Sequence, residues 1–217
     1  MDKEVIKSIE TLIKHYSNSN LTNNICSLQK QLANTSGKDL AEVVNEDENS
    51  LTTLKAAMEV KSLMGQINII IHALGIINSL PYILENEEVI ESVSLGADNS
   101  GSEFDLVTNK RIAEFKFIAW KGKDSMRLKT TFIDYYELVE YETNKEKDLY
   151  LIDSTYFIKC LKGKRKFSNI LSKNTKIAKE FEEKYGAKYT FIYEYFNDNL
   201  DKVNIISLKE IVPDLFD

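Results

Sequence analysis

The stretch SEFDLVTNKRIAEFKFIAW, residues 102–120, decides how this chain folds. Two runs of strand-forming residues, 102–108 and 111–120, flank a short TNKR corner and together read as a β-hairpin. With an even number of residues in a loop centred on Asn109 and Lys110, Asp105 faces Glu114. Side chains alternate along a strand, so Glu103, Asp105, Glu114 and Lys116 share one face, while Phe104, Leu106, Ala113, Phe115 and Phe117 share the other. Directly opposed residues have Cβ atoms about 5 Å apart, where two carboxylates repel unless a cation neutralises them. Magnesium takes oxygen ligands, typically one or two carboxylates completed by water and phosphate, and this face can supply them. Lys116 stands beside the pair, where it can orient or deprotonate a water or steady charge on a phosphate. The bland alternative is a solvated antiparallel face with ordinary alternating charges. Against it, Glu114 and Lys116 interrupt the nearly continuous apolar run IAEFKFIAW, which has the composition of a central strand, where unpaired charge is expensive.

Working outward, VIESVSLGA (89–97) adds a third strand and makes a β-meander. Towards the N-terminus, Val5, Ile6, Ile9, Leu12 and Ile13 form one apolar stripe on a helix over 3–16. Further helices are expected at 21–34 and 38–45, and acidic NEDENS (45–50) reads as a linker. A long helix over 51–80 grows steadily more apolar and ends at Pro81. Asn68, His72, Asn78 and Pro81 interrupt its most apolar part, so it reads as a buried core helix rather than a membrane span. Towards the C-terminus the pattern gives a helix at 124–141, a strand at 148–154, a basic segment at 159–176, a helix at 175–185 and a last strand, YTFIYEYF, at 189–196. The fold class expected is α/β (α+β), a mixed sheet flanked by helices, with an N-terminal helical extension over 1–50 and the main domain over 51–217.

The 217 residues carry 34 acidic and 28 basic side chains, a net charge of −6, which argues against a protein that coats nucleic acid indiscriminately. A local basic patch remains open. Lys162, Lys164, Arg165 and Lys166 concentrate positive charge against the overall sign, interleaved with Phe167, and read either as solvated surface or as contacts to phosphate. Cys26 and Cys160 are far apart and have no CxxC partner, which supports neither zinc nor a disulfide and points to a reducing, cytoplasmic setting. The charged start MDKEVIKSIE has no signal-like apolar core, and no membrane association is expected. His72, on an apolar helix, reads as a hydrogen-bonded core histidine. The N-terminal stripe is either core packing or a homodimer contact.

The spacing Asp105, eight residues, then Glu114-Phe115-Lys116 resembles the PD-(D/E)xK nuclease superfamily, with Phe104 where that motif has its proline. The longer string HALGIINSLPYIL, SVSLGADNSG, FDLVTNKRIAEFKFIAW is similar to a family of uncharacterised proteins over roughly residues 70–175. The nuclease resemblance implies a restriction-endonuclease-like sheet, with Asp105 and Glu114 as ligands of magnesium or manganese, the Phe115 carbonyl as a further ligand and Lys116 as the catalytic lysine. Many members place a Glu on the helix before the sheet; here that helix offers Glu59, Gln66 and His72, and Gln66 is the auxiliary candidate. Glu103 is either a cross-strand partner of Lys116 or an auxiliary ligand. Arg127, Lys129 and Asp134 lie on the following helix, from which relatives send a polar or basic residue into the site; a solvated face is the alternative. By resemblance the activity is hydrolysis of phosphodiester bonds, with double-stranded DNA as first candidate substrate and a homodimer for cutting both strands. The competing class is a non-catalytic nucleic-acid-binding or protein-interaction module on the same fold.

Overall fold

The strand Arg111–Lys116 (β3) is buried or half-buried along its whole length, which suits a strand paired on both edges. It lies in the middle of a five-stranded sheet. The computed structural model describes residues 3–17, 29–30, 32, 51–96, 103–120, 125–212 and 215–216, and elements are numbered here among those residues. Two antiparallel strands sit on one side of β3, β2 (Leu106–Thr108) and then β1 (Ile90–Val93), the latter bulged between Ile90 and Ser92. On the other side β4 (Glu146–Leu151) and β5 (Asn204–Ser207) run parallel to β3. Parallel neighbours need a crossover, and α3 (Ser125–Glu140) supplies it between β3 and β4. Between β4 and β5 the chain forms α4 (Thr155–Leu161), α5 (Phe167–Ile170), α6 (Thr175–Tyr185) and α7 (Ile192–Asp198), and α8 (Leu208–Ile211) follows β5. The protein is therefore a mixed α+β structure with a mixed sheet flanked by helices.

By contacts the chain divides into two compact units, Met1–Asn68 and Ile69–Asp217. The first contains α1 (Lys3–Ser17) and the beginning of α2 (Leu51–Ile83), and in it Ser8 Oγ donates to Glu59 Oε2 at 2.5 Å. The helices expected at 21–34 and 38–45 and the linker at 45–50 lie outside the described residues, apart from helical positions at 29, 30 and 32. The boundary falls inside α2, beyond the segment read as a linker.

In the second unit the sheet is covered on both faces. One face packs Leu106, Ala113, Phe115 and Tyr150 against Ile76 and Ile83 of α2 and Leu208 of α8. The other packs Ile112, Leu149 and Leu151 against α3 and an aromatic cluster that includes Phe132, Tyr135, Phe157, Phe167, Phe181 and Tyr195. Strand alternation thus holds within β2 and β3 as the hairpin reading requires, but Phe104 joins the α3 side because the ladder begins only at Leu106. At the N-terminal end of β3, Arg111 forms a bidentate pair with Glu88 at 2.7 and 2.9 Å and reaches Asp148 at 2.8 Å. Thr108 donates to Glu88 and Asn204 to Asp148, so a buried polar cluster fastens four strands together.

Three expectations are corrected. Proline does not end α2 at residue 80: Pro81 lies in its last turn and the helix runs to Ile83. Nor is α2 a buried core helix. Gly75, Ile76, Ser79 and Ile83 make one buried stripe, while Ile67, Ile69, Ile70, Ile71, Leu74 and Ile77 are 42–53 % exposed, because packing against one sheet face covers only one stripe of a helix. Finally, YTFIYEYF is not a strand. Ile192, Tyr195 and Phe196 have helical spacing and are buried together, and Glu194 accepts hydrogen bonds from the Thr190 and Phe191 amides at 2.8 Å, capping α7. The last strand is instead NIIS, β5, which is short.

Candidate metal-binding and catalytic site

Leu106 pairs with Ala113 and Val107 with Ile112, the register that places Asp105 opposite Glu114. Asp105 itself lies in the bend that leads into β2, and there its side chain turns back to the neighbouring strand: Oδ2 accepts the Phe115 amide at 2.9 Å. Its other oxygen, Oδ1, lies 3.2 Å from His72 Nε2 of α2. Glu114 and Lys116 point to the face covered by α3, where Lys116 Nζ lies 3.3 Å from Glu114 Oε2 and 3.2 Å from Asp134 Oδ2. The Asp134 atom is buried and accepts no well-aligned hydrogen bond among the described residues. A cavity of about 40 Å³ opens beside Lys116, lined also by Trp120, Arg127, Leu151 and Asp153. That is room for an ordered water next to the lysine.

Burial and neighbouring charge set the protonation of this cluster. Burial, then the charge of Asp105, pushes the Glu114 carboxyl up to about 8. Burial would raise Asp105 too, but the His72 and Phe115 hydrogen bonds outweigh it and hold that carboxyl below the usual range. Asp134 is raised, first by burial and then despite Lys116 by the charge of Asp105. Burial would lower Lys116, yet Asp134, Glu114 and Asp105 together keep it more firmly protonated than a free lysine. Three carboxylates therefore crowd one ammonium, and the surplus negative charge appears as a proton retained by Glu114.

Asp105 and Glu114 offer carboxylate oxygens, the donor type that a hard divalent cation takes. Among the described residues no three or more His, Cys, Asp or Glu side chains surround a common ion position. Carboxylate donors of this kind, completed by water or phosphate oxygen, belong to magnesium-type shells rather than zinc-type cages. Among the described residues each Asp105 oxygen has one hydrogen-bond partner, which leaves a lone pair on both.

The auxiliary candidates scatter. Glu103 is exposed, and Lys116 pairs with Glu114 and Asp134; the Glu103 charge acts on Glu137, which is raised by burial, Asp134 and Glu103 in that order. Arg127 is exposed and donates to the Ala119 carbonyl at 2.8 Å, while lining the cavity beside Lys116. Gln66 is exposed and belongs to the first unit. Lys164, Arg165 and Lys166 line a common cavity, whereas Lys162 forms the C-cap of α4. His72 is the residue that sequence reasoning set aside. It falls on the same helical stripe as Gly75, Ile76, Ser79 and Ile83, so a helical wheel of α2 drawn against its sheet-facing residues would have found it.

No family model, curated protein or solved structure matches this chain.

Proposed function

We propose that the chain is a divalent-metal-dependent endonuclease of the PD-(D/E)xK, restriction-endonuclease-like type, hydrolysing phosphodiester bonds, with DNA as the first substrate to test. The observation that carries this reading is the half-buried neighbourhood of Asp105, Glu114 and Lys116, with Lys116 3.3 Å from Glu114 and an excess of carboxylate that keeps Glu114 protonated near neutrality. In this reading Asp105 and Glu114, with the Phe115 carbonyl, hold magnesium or manganese. Such an ion, when bound, polarises a phosphodiester and lowers the pKa of water.

The chain's own residues then have separate tasks. The Phe115 amide and His72 fix the Asp105 carboxylate from two directions and hold it ionised. Asp134 draws Lys116 to one side of Glu114 and keeps it charged, so the lysine acts by orienting water or stabilising phosphate charge rather than as a ready base. Incubating the purified protein with supercoiled, linear and single-stranded DNA and with RNA, in magnesium, manganese or chelator, tests the reading. Cleavage that needs the metal and disappears in Glu114→Gln is expected. Binding without cleavage under every condition would instead assign a non-catalytic nucleic-acid-binding module.

A further inference from the structure

The basic segment builds a cavity with aromatic walls. Lys159 on α4 and Lys164, Arg165 and Lys166 on the following turn line a space of about 670 Å³, together with Tyr156 and Phe191. That volume falls within the range of roughly 300–1,000 Å³ typical of small-ligand sites. No acidic residue lines it, and among the described residues none of the four cations has a carboxylate within ion-pair distance, in a chain whose net charge is −6.

Its wall is ordered main chain. The Gly163 amide bonds the Cys160 carbonyl at 3.0 Å, Arg165 bonds Gly163 at 2.9 Å, and Ile192 and Phe167 bond Arg165 and Thr190 at 2.9 and 3.2 Å, tying the turn to the segment that carries Phe191. A Cβ at Gly163 would meet the Cys160 carbonyl at 3.1 Å, so the turn is tight as well as pinned. The Phe191 ring stacks on Tyr193 with centroids 5.9 Å apart, and Tyr156 is 41 % exposed. Helix α4 links the cavity to the wall of the space beside Lys116. That helix starts at the C-terminal end of β4, beside the end of β3 that carries Lys116, and the ring of Phe157, next to Tyr156, packs 5.9 Å from Trp120 in the wall of the Lys116 cavity.

Cations alone would describe a surface for any phosphate backbone. Aromatic rings inside a cation-lined cavity add a preference for a base lifted out of its stack. We propose that this cavity takes an unpaired nucleotide of a nucleic acid strand, its base against Tyr156 and Phe191 and its flanking phosphates on Lys164, Arg165 and Lys166. The ligand chemistry is a phosphate-bearing nucleobase, and four cations exceed what one phosphate group needs, which favours a strand over a free nucleotide. This deepens the nuclease reading and rests on it for the choice of nucleic acid.

Fluorescence anisotropy of the full chain in chelator, where cleavage plays no part, separates the two. The probes are a labelled single-stranded DNA oligonucleotide, the same sequence as a blunt duplex, and AMP as competitor. Tyr156→Ala should weaken single-strand binding about tenfold or more and duplex binding far less. Tyr156→Phe should retain wild-type affinity. Lys164→Ala with Arg165→Ala should weaken both and flatten the salt dependence. All three altered side chains are exposed, so thermal melts should match wild type. Unchanged single-strand affinity in Tyr156→Ala, equal losses on both probes, or tight AMP binding that the strand does not displace would overturn the proposal. Failure of metal-dependent cleavage would sink the nuclease reading while leaving these affinities as measured.

Discussion

Glu114 is the side chain on which stability and metal binding meet. Its carboxyl ordinarily titrates at 4.5 and in the folded chain, raised first by burial and then by Asp105, at about 8. Between those values the folded state keeps a proton that the unfolded chain has released, so stability is fully present below pH 4.5 and is lost as pH rises through 8. In metal-free buffer at pH 8.5, Glu114→Gln should therefore melt above wild type, by roughly 4–8 °C for a cost of about 2 kcal/mol. The gap should close towards pH 5; a gap independent of pH would place the strain elsewhere. A cation displaces that retained proton, so manganese should raise the wild-type melting temperature more at pH 8.5 than at 6.5. Asp105→Asn should remove both the manganese stabilisation and cleavage. Lys116→Ala should keep the stabilisation and lose turnover, since the lysine acts on water or phosphate and not on the ion. A wild type whose melt ignores divalent ions would remove the metal from this site.

Among the elements, α2 and α7 mark the limits of what could be read from sequence. The hairpin was legible because period-two alternation and an even loop fix one register, and Leu106 opposite Ala113 is that register. The four residues Asp105, Glu114, Lys116 and Asp134 could all be named beforehand, but not the partnership of Lys116 with Asp134, which depends on how α3 crosses the sheet. α7 was misread because Tyr, Phe and Ile favour strands by composition, while the spacing of Ile192, Tyr195 and Phe196 and the Glu194 cap select a helix. β5 has four residues, too few to show a period. Apolar residues are spread round α2 rather than gathered on one side, so its composition could not reveal which stripe meets the sheet. Its close approach is set by Gly75, where a Cβ would lie 2.6 Å from three ring atoms of Phe117. Phe117 stacks on Phe115 and meets His72 edge-on at 6.2 Å, so that ring has little room to yield. Gly75→Ala should cost about 1–3 kcal/mol by overpacking and, by displacing His72, lower cleavage without touching a proposed ligand. Thermal melts and single-turnover cleavage measure the two effects, and unchanged cleavage in the folded variant would make His72 a bystander.

At the scale of the whole molecule, the two ends of β3 oppose each other in pH. Burial would raise the Glu88 carboxyl, but hydrogen bonds from Arg111 and Thr108 prevail and hold it at about 2. That stability is present above pH 4.5 and is lost as pH falls towards 2, the mirror of Glu114. Metal-free wild type should thus be most stable in mildly acid solution, and Glu88→Gln should be destabilised near neutrality, with a shallower decline in acid. Chemical denaturation across pH 3–9 measures this, and an acid decline equally steep in the variant would assign it to other groups. The sheet also carries a timetable. β1, β2 and β3 are neighbours in sequence, and β2 and β3 close over the Asn109-Lys110 turn, whereas β5 cannot meet β4 until everything between Leu151 and Asn204 has been brought round. In refolding followed by pulsed hydrogen exchange, the amides of β2 and β3 should gain protection before those of β5. The crowded carboxylates of Asp105 and Glu114 would then be assembled before the chain is complete, so a divalent ion present during folding should accelerate the early phase and leave the late one unchanged.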